Sequence, residues 1–336
     1  MKEKSCKYTF DPSINKIIPF DIKHPFAYLE SIYHLATATT ILVDNYQGFL
    51  AVTNFKKNST CIQLWHAAGA IKQFGLNDPS TSTRSNRAKE RFQQVYNRFH
   101  YTVVGSEKMA TIFQQNFNLS NERIIRTGIP RTDVFFNTEK KLLANSNLNR
   151  HIPEINNKKI ILYAPTFREN QLNNYQLKLN IEELCEEFSD EYVLFIRVHP
   201  AVSFTLPNKY RDFAYDMSGY FDINHLLLQS DILITDYSSI PFEYSLLRKP
   251  MIFFAYDVEE YRLTSGLMKD YENQMPGPIV FSTDEIIQTI KHNKYKLNDI
   301  QFFANQWNEY SRGNSSLNVA RFIETREVEV REKVLL

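Results

Sequence analysis

Short apolar runs rich in β-branched and aromatic residues alternate with segments of helical periodicity along most of this chain. This alternation predicts parallel sheets whose strands are joined by crossover helices, which is an α/β fold. The apolar runs predict strands at residues 40–44, 61–65, 101–105, 123–126, 159–164, 192–198, 232–235 and 251–254. The periodic segments predict helices at residues 25–35, 84–98, 108–116, 181–187, 224–229 and 241–247.

The length of 336 residues exceeds one ordinary α/β core and fits two domains of about 150 residues each. Residues 138–158 are rich in asparagine and show no clear period, which is typical of a connection between domains. We therefore predict an N-terminal domain over residues 1–150 and a C-terminal domain over residues 151–336. Two such domains would face each other across a cleft that binds ligands. The charged tail at residues 324–336 either returns to the first domain or stays apart from it.

Composition and charge narrow the functional classes. The formal net charge of +1 provides no overall basic field for nucleic acid. Cys6, Cys61 and Cys185 are far apart and form no metal-binding spacing, which favours a reducing cytoplasm. The N-terminus lacks the apolar run of a signal peptide, and no apolar run approaches the roughly 18 residues of a membrane span. If the protein functions at a membrane, it is therefore expected to bind the membrane surface and not to span the bilayer.

The first candidate site follows the strand predicted at residues 61–65. His66 lies at the carboxyl end of that strand, and small residues including Gly69 separate it from Lys72. A histidine there suits a general base, and the small residues let the backbone approach a ligand whose phosphate Lys72 can reach. The structural alternative is a strand-end histidine that is satisfied by a backbone carbonyl.

Two further strand ends lie in the second half. Residues 163–168 place Thr166 and Arg168 after a strand, where they can bind a phosphate or a ribose. Residues 196–200 place His199 before a proline, which favours extended backbone at the histidine. Each segment also fits an ordinary strand-to-loop turn, but strand-end histidines in both halves predict one shared cleft.

Asp236, Ser238 and Ser239 follow the strand predicted at residues 232–235 and precede a helix with proline in its first turn. Serines at a helix start either cap the helix or bind a phosphate through N–H and hydroxyl groups. The segment contains more polar side chains than one cap requires, which favours the phosphate site.

The predicted helix at residues 84–98 is basic along one side. Arg84, Arg87, Arg91 and Arg98 lie within about 60° of one another on a helical wheel, beside an apolar face. This pattern favours an interfacial helix or a site for a lipid diphosphate, and the alternative is the solvated edge of a packed helix.

Together, the segments WHAAGAIK, YAPTFR, IRVHP, SDILITDYSSIPFEYSLLRKPMIFFAYDVEEYR and PGP resemble the CDP-glycerol glycerophosphotransferase family of wall teichoic acid synthesis. The resemblance extends over approximately residues 25–323. It implies a GT-B fold, in which two Rossmann-like parallel-sheet domains face an interdomain cleft. It also implies CDP-glycerol as the donor, release of CMP, and peripheral attachment to the cytoplasmic face of the cell membrane.

The resemblance assigns roles to individual residues. His66 is expected to be the base that removes a proton from the acceptor hydroxyl, and His199 to contact the donor diphosphate. The other expected contacts with CDP-glycerol are Thr166, Arg168, Arg197, Asp236, Ser238, Ser239, Gly313 and Ser315. Gly69 and Lys72 are expected at the acceptor phosphate, and the four arginines at the membrane or the lipid diphosphate. No metal and no cofactor are expected.

The acceptor half departs from the polymerising members, which usually read WHGTPLK where this chain has residues 65–72. The glycine has moved to Gly69, and the threonine and proline are absent. With residues 36–46 and the lack of an extra N-terminal domain, this version looks more like the primases. Those add the first glycerol phosphate to N-acetylmannosaminyl-N-acetylglucosaminyl undecaprenyl diphosphate.

The expected partners are CDP-glycerol, this lipid-linked disaccharide, the membrane surface and other teichoic acid enzymes, with no nucleic acid. Three alternatives remain open at this point. They are a poly(glycerol phosphate) polymerase, a nucleotide-sugar glycosyltransferase or epimerase of the same fold, and a non-catalytic scaffold for lipid-linked intermediates.

Overall fold

The structure is a computed structural model that describes residues 18–81, 83–155, 158–168, 176–199, 202 and 204–335. Two sheets form its framework, and every strand pair in them is parallel. The first sheet contains, in spatial order, β1 (Thr40–Val43), β2 (Thr60–Gln63), β3 (Tyr101–Val103) and β4 (Ile124–Ile125). The α/β class with two parallel sheets is thereby confirmed.

The second sheet has the strand order β10-β9-β8-β5-β6-β7. Its strands are β5 (Lys159–Tyr163), β6 (Tyr192–Ile196), β7 (Ala214–Asp216), β8 (Ile232–Thr235), β9 (Met251–Phe254) and β10 (Ile279–Val280). The strand order reverses between β5 and β8, and doubly wound sheets bind ligands at the carboxyl ends of the strands at such a point. The loops after β5 and β8 therefore occupy the expected ligand-binding edge.

The helices lie against these sheets. They are α1 (Pro25–Thr37), α2 (Asn86–Asn97), α3 (Glu107–Phe117), α4 (Thr138–His151), α5 (Ile181–Phe188), α6 (Ile223–Gln229), α7 (Ile240–Tyr244), α8 (Val258–Ser265), α9 (Tyr271–Gln274), α10 (Thr283–Lys291), α11 (Leu297–Trp307) and α12 (Ser315–Leu335). Several begin at a side-chain cap, in which a serine or asparagine oxygen accepts a backbone N–H of the first turn. Ser106, for example, caps α3 by accepting the N–H of Met109 at 3.2 Å.

The strands and helices predicted from the sequence are confirmed to within a few residues at each end. The expectation that residues 138–158 lack regular secondary structure is wrong, because most of that segment forms α4, whereas its role as the connection between domains stays a prediction. Asn137 caps α4 through the N–H of Lys140. Only Ala144 and Leu148 of α4 are buried, so its periodic signal is weak.

The C-terminal helix α12 crosses back to the first sheet. Val319, Phe322 and Ile323 pack with a group of first-sheet side chains that includes Ile62 and Val103. The tail after residue 324 thus continues a helix that has already returned to the first half. The domain boundaries at residues 150 and 151 stay a prediction. The chain passes from the first half to the second near this boundary and returns to the first half through α12.

The loop after β2 is held tightly against the second half. A Cβ atom on Gly69 would overlap the ring of Phe242, so the close approach requires glycine. Further along, the N–H of Gln73 donates to the carbonyl of Gly266 at 2.9 Å. These contacts position the His66 loop relative to the second sheet.

Candidate active site

A cavity of about 610 Å³ lies between the carboxyl ends of the two sheets. One wall is formed by residues 65–67 and 69–74 after β2, and the other by the loops after β5, β6 and β8 with Ile223. The predicted site residues that line it are His66, Gly69, Lys72, Thr166, Arg197, His199, Ser238 and Ser239. Its volume is that of a typical small-molecule site, which spans roughly 300–1,000 Å³.

Trp65 makes the turn that brings His66 to the cavity wall. Its φ of 61° lies in the left-handed region, which bulky residues rarely adopt outside strained or functional sites. The indole ring packs against Phe74, Phe113 and Phe117, with centroid distances of 4.9, 5.4 and 5.4 Å. This aromatic packing stabilises the turn, and the next residue, His66, is exposed to the cavity.

The hydrogen bond of the His66 ring determines its tautomer. Nδ1 lies 3.0 Å from the backbone carbonyl oxygen of Asp44. A carbonyl oxygen only accepts hydrogen bonds, so Nδ1 is the donor, and Nε2 is the acceptor whenever the ring carries a single proton. The structural alternative for His66 is therefore present, and the same contact prepares Nε2 to act as a base.

The backbone of the His66 loop is held by an ion pair between the exposed Arg131 and the buried Glu243. The Arg131 guanidinium donates to the His66 carbonyl oxygen, and its Nε lies 2.8 Å from Oε1 of Glu243. Burial raises the pKa of Glu243 to about 7, while the charge of Arg131 and a hydrogen bond from the Ala68 N–H lower it. Sequence reasoning missed this pair, although a glutamate inside the apolar run of α7 was a visible signal.

Asp236 connects the loop after β5 to the loop after β8 through hydrogen bonds. Its Oδ1 accepts the backbone N–H groups of Thr166 and Tyr237, each at 2.7 Å. The Thr166 hydroxyl is occluded and lies beside the carboxylate of Asp236. Ser238 Oγ accepts the N–H of Ile240, the first residue of α7, at 3.2 Å, whereas the N-cap residue Ser239 makes no side-chain cap. Helix capping therefore does not account for the second serine.

Arg168 lies behind the cavity wall, and its direct contact with the donor stays a prediction. Its guanidinium is bonded to Asp236 Oδ2 at 3.0 Å and to Asp257 Oδ2 at 2.9 Å, and it lies 4.7 Å from the Tyr261 ring centroid. Burial alone lowers the pKa of Arg168, but the hydrogen bond to Asp257 and the charge of Asp236 raise it above its ordinary value. Asp236 is likewise buried, so this network supports the donor loops from behind.

The other cations at the cavity are also held by neighbours. Arg197 Nη1 donates to the carbonyl oxygens of Met217 and Tyr220, each at 2.7 Å. The Lys72 ammonium lies 4.9 Å from the centroid of Tyr261. These contacts fix the positions of two positive charges on opposite walls, which is an arrangement suited to an anionic ligand.

The profile of the CDP-glycerol:poly(glycerophosphate) glycerophosphotransferase family matches residues 3–325. This chain belongs to that family. The family membership and enzyme class expected from the sequence are confirmed.

Individual relatives agree with this assignment. The teichoic acid glycerol-phosphate primase of Bacillus subtilis (strain 168) is 40% identical over 90% of this chain and 77% of the relative. The teichoic acid poly(ribitol-phosphate) polymerase of Bacillus spizizenii (strain ATCC 23059 / NRRL B-14472 / W23) is 38% identical over 85% of this chain and 46% of the relative. A structure of a variant of the wall teichoic acid polymerase TagF soaked with CDPG matches with a TM-score of 0.76 and 28% identity, covering 88% of this chain and 74% of that chain.

Two residues expected to contact the donor of this glycerophosphotransferase lie outside the cavity. Gly313, with a φ of 88°, lies against Phe136. Ser315 is buried, and its N–H donates to Asp133 Oδ1 at 2.9 Å. Both residues connect the start of α12 to the 3₁₀ helix Pro130–Phe136, and their contact with the donor stays a prediction.

The four arginines of the basic segment also lie outside the cavity. The helix α2 is shorter than predicted, and therefore Arg84 and Arg98 flank it. Arg84 lies 4.7 Å from the ring centroid of Phe92, and Arg98 donates to Asn54. Arg87 and Arg91 are exposed. Their role at a membrane or a lipid diphosphate stays a prediction.

Within the described ranges, no three or more histidine, cysteine or acidic side chains are grouped as metal ligands. The expectation that this glycerophosphotransferase needs no tightly bound metal stays a prediction.

Proposed function

We propose that this chain transfers glycerol phosphate from CDP-glycerol to the lipid-diphosphate-linked disaccharide, as the priming step of wall teichoic acid synthesis. The shared cavity carries this proposal. His66 reaches it from the first half with Nε2 as an acceptor, and His199, Ser238 and Ser239 reach it from the ligand-binding edge of the second sheet. A base and a phosphate site on opposite walls fit transfer from a bound donor to a separate acceptor.

The donor occupies the second wall in this proposal. Its diphosphate contacts His199, Ser238 and Ser239, and Arg197 contributes positive charge. Thr166 lines the same wall, which places its backbone and side chain beside the donor. Arg168 acts indirectly, because it holds Asp236, which in turn holds the Thr166 backbone.

The acceptor hydroxyl enters beside His66. Nε2 accepts its proton while the oxygen attacks the β-phosphorus, the bond from that phosphorus to the bridging oxygen breaks, and CMP leaves with the bridging oxygen. Phosphoryl transfer of this kind depends mainly on positioning and charge stabilisation. Lys72 and Arg197 supply positive charge on the two walls, and His66 supplies the proton acceptor.

The priming specificity is supported by the residues that follow His66. Ala67 and Ala68 replace the small and hydroxyl residues usual in polymerising members, and Gly69 lies against Phe242. The loop is thus packed against the donor half at the position where primer and polymer ends would differ. A primase and a polymerase are almost equally similar to this chain, at 40% and 38% identity. The number of glycerol phosphate units added is therefore the quantity to measure.

We also propose peripheral membrane attachment through α1. Phe26, Leu29 and Tyr33 are 88, 63 and 65% exposed on this helix, which is unusual for one contiguous apolar face. Phe20 joins α1 to the 3₁₀ helix Gly48–Val52 by ring contacts, and α2 with its exposed arginines packs beside that 3₁₀ helix. An apolar face beside basic residues fits an anionic membrane surface. None of the helices within the described part of the chain is both long and apolar enough to cross a bilayer.

Sedimentation with vesicles that contain anionic phospholipid tests this attachment. We expect Phe26→Ser/Tyr33→Ser to lower the pelleted fraction strongly and Arg87→Glu/Arg91→Glu to lower it in a salt-dependent manner. Leu263→Ser is a matched control, because Leu263 is 87% exposed on α8. Equal pelleting of all variants would contradict attachment by this surface.

The transfer itself is tested by CMP release from CDP-glycerol with a soluble analogue of the lipid-linked disaccharide. We expect acceptor-dependent CMP release by the parent and its loss in His66→Ala. Sugar release from UDP- or GDP-sugars, with CDP-glycerol ignored, would favour a glycosyltransferase or epimerase. Absence of donor binding in a calorimetric titration would favour a scaffold.

A further inference from the structure

An ion pair between Arg131 and the buried Glu243 connects the His66 loop to the helix that follows Ser238 and Ser239. Glu243 is 3% exposed and lies in α7, directly after the turn that contains Ser238 and Ser239. Its carboxylate is 2.8 Å from Nε of Arg131, which belongs to the 3₁₀ helix Pro130–Phe136 of the first half. The pair therefore bridges the two halves of the molecule beside the cavity.

Both members of the pair hold the backbone of the same loop. Arg131 donates to the His66 carbonyl oxygen, and Glu243 accepts the N–H of Ala68. Next to Glu243 in the chain, the ring of Phe242 fills the space that a Cβ on Gly69 would need. The backbone of residues 66–69 is thus fixed at successive positions by α7 and Arg131.

This arrangement links the position of the proposed base to the position of the proposed phosphate site. The position of α7 determines where Ser238 and Ser239 lie, and the same helix determines where the His66 loop lies. An arginine is suited to such a task, because its planar group can donate to the carbonyl and the carboxylate simultaneously. A lysine ammonium at the same position keeps the charge but lacks the planar set of N–H donors that can reach both acceptors.

We propose that Arg131 and Glu243 are positioning residues that hold His66 at the attack distance from a donor bound at Ser238 and Ser239. This inference rests on the proposed role of His66 as the base. Neither residue lines the cavity, so they act on the reaction through the His66 backbone and not by contact with substrate.

Steady-state kinetics of Arg131→Lys and Glu243→Gln give the first test. We expect kcat to fall by about 10- to 100-fold, as small displacements of reacting groups do, while the Kd for CDP-glycerol changes by less than about twofold. Arg123→Lys is the matched control, because Arg123 also holds backbone carbonyls, those of Asn97, Phe99 and His100, but outside the cavity. Its kcat should equal that of the parent.

The tautomer of His66 gives a readout that a general loss of stability would not change. In ¹⁵N-histidine spectra, with the His66 signal assigned through His66→Ala, the parent should show the Nδ1–H form and Arg131→Lys a mixture of the two forms. Arg123→Lys should keep the parent spectrum. Unchanged kcat and an unchanged His66 signal in both Arg131→Lys and Glu243→Gln would overturn the inference, whatever happens to their melting temperatures. Full activity of His66→Ala would instead overturn the proposed base, and the positioning role with it.

Discussion

Arg168→Met removes the guanidinium that bridges Asp236 and Asp257, and we expect a loss of stability in addition to any loss of donor affinity. Arg168 is 8% exposed and Asp236 is 2% exposed, with 3.0 Å between Arg168 Nη2 and Asp236 Oδ2. Removal of one partner from a buried pair costs about 3–5 kcal/mol, because the remaining charge is uncompensated. That is a large share of a typical free energy of unfolding, which is about 5–15 kcal/mol.

The pH dependence of this loss follows from the remaining carboxylates. Burial raises the pKa of Asp236 above its ordinary value, and the charge of Arg168 opposes the increase. Without Arg168 the folded-state pKa rises further above the unfolded-state value of 3.8. A group of this kind stabilises the fold below its unfolded pKa and loses that contribution as pH rises. The deficit of the variant should therefore be small near pH 4 and large at pH 8.

Urea unfolding of parent and variant, followed by circular dichroism at both pH values, measures this difference. Arg168→Met/Asp236→Asn should recover part of the loss at pH 8, because it removes the uncompensated charge. Lys209→Met is the control, because it breaks the exposed pair with Glu182, which should contribute nothing measurable. If Arg168→Met unfolds at the same urea concentration as Lys209→Met at pH 8, the network does not stabilise the donor loops.

Three further variants give shorter tests. Gly69→Ala forces a Cβ against Phe242, so calorimetry should show about 1–3 kcal/mol less stability together with slower CMP release; parental values would contradict the close packing. His66→Ala should lower kcat by about 10²–10⁴-fold with an unchanged circular dichroism spectrum, and an unchanged kcat would refute the base. Burial raises the pKa of Glu243 from 4.5 to about 7. As pH rises from about 4.5 to about 7, the free energy of unfolding of the parent should therefore fall by up to about 3 kcal/mol, whereas that of Glu243→Gln should not fall. Urea unfolding at several pH values measures this, and the same pH dependence in both proteins would refute it.

Much of the site was predictable because parallel strands place their carboxyl ends along one edge. His66, His199 and Ser238 each follow an apolar run, and the three strands end at the same cavity. The bounds of β8 and β9 match the apolar runs residue for residue, because central strands of a parallel sheet are buried on both faces.

What could not be predicted depends on contacts between distant parts of the chain. Arg168 follows a strand like a ligand contact, but Asp257, 89 residues away, turns it into a buried support. The pairing of Arg131 with Glu243 likewise depends on how the two halves pack. The strands β7 and β10 have only 3 and 2 residues, which is too short for a periodic signal.

The surface of α1 illustrates a further limit. Its sequence is mostly apolar, and only the packing reveals that Phe26 and Tyr33 face outward. Gly313 and Ser315, which are expected at the donor, contact Phe136 and Asp133 in the structure, and these contacts have no signal in the sequence.

Mass analysis of the product formed from CDP-glycerol and a soluble lipid-diphosphate disaccharide tests the central claim most directly. The account predicts release of CMP and a product that carries one added glycerol phosphate, even with excess donor and long incubation. A ladder of additions would contradict priming and make the chain a polymerase. No CMP with this acceptor would contradict the proposed transfer.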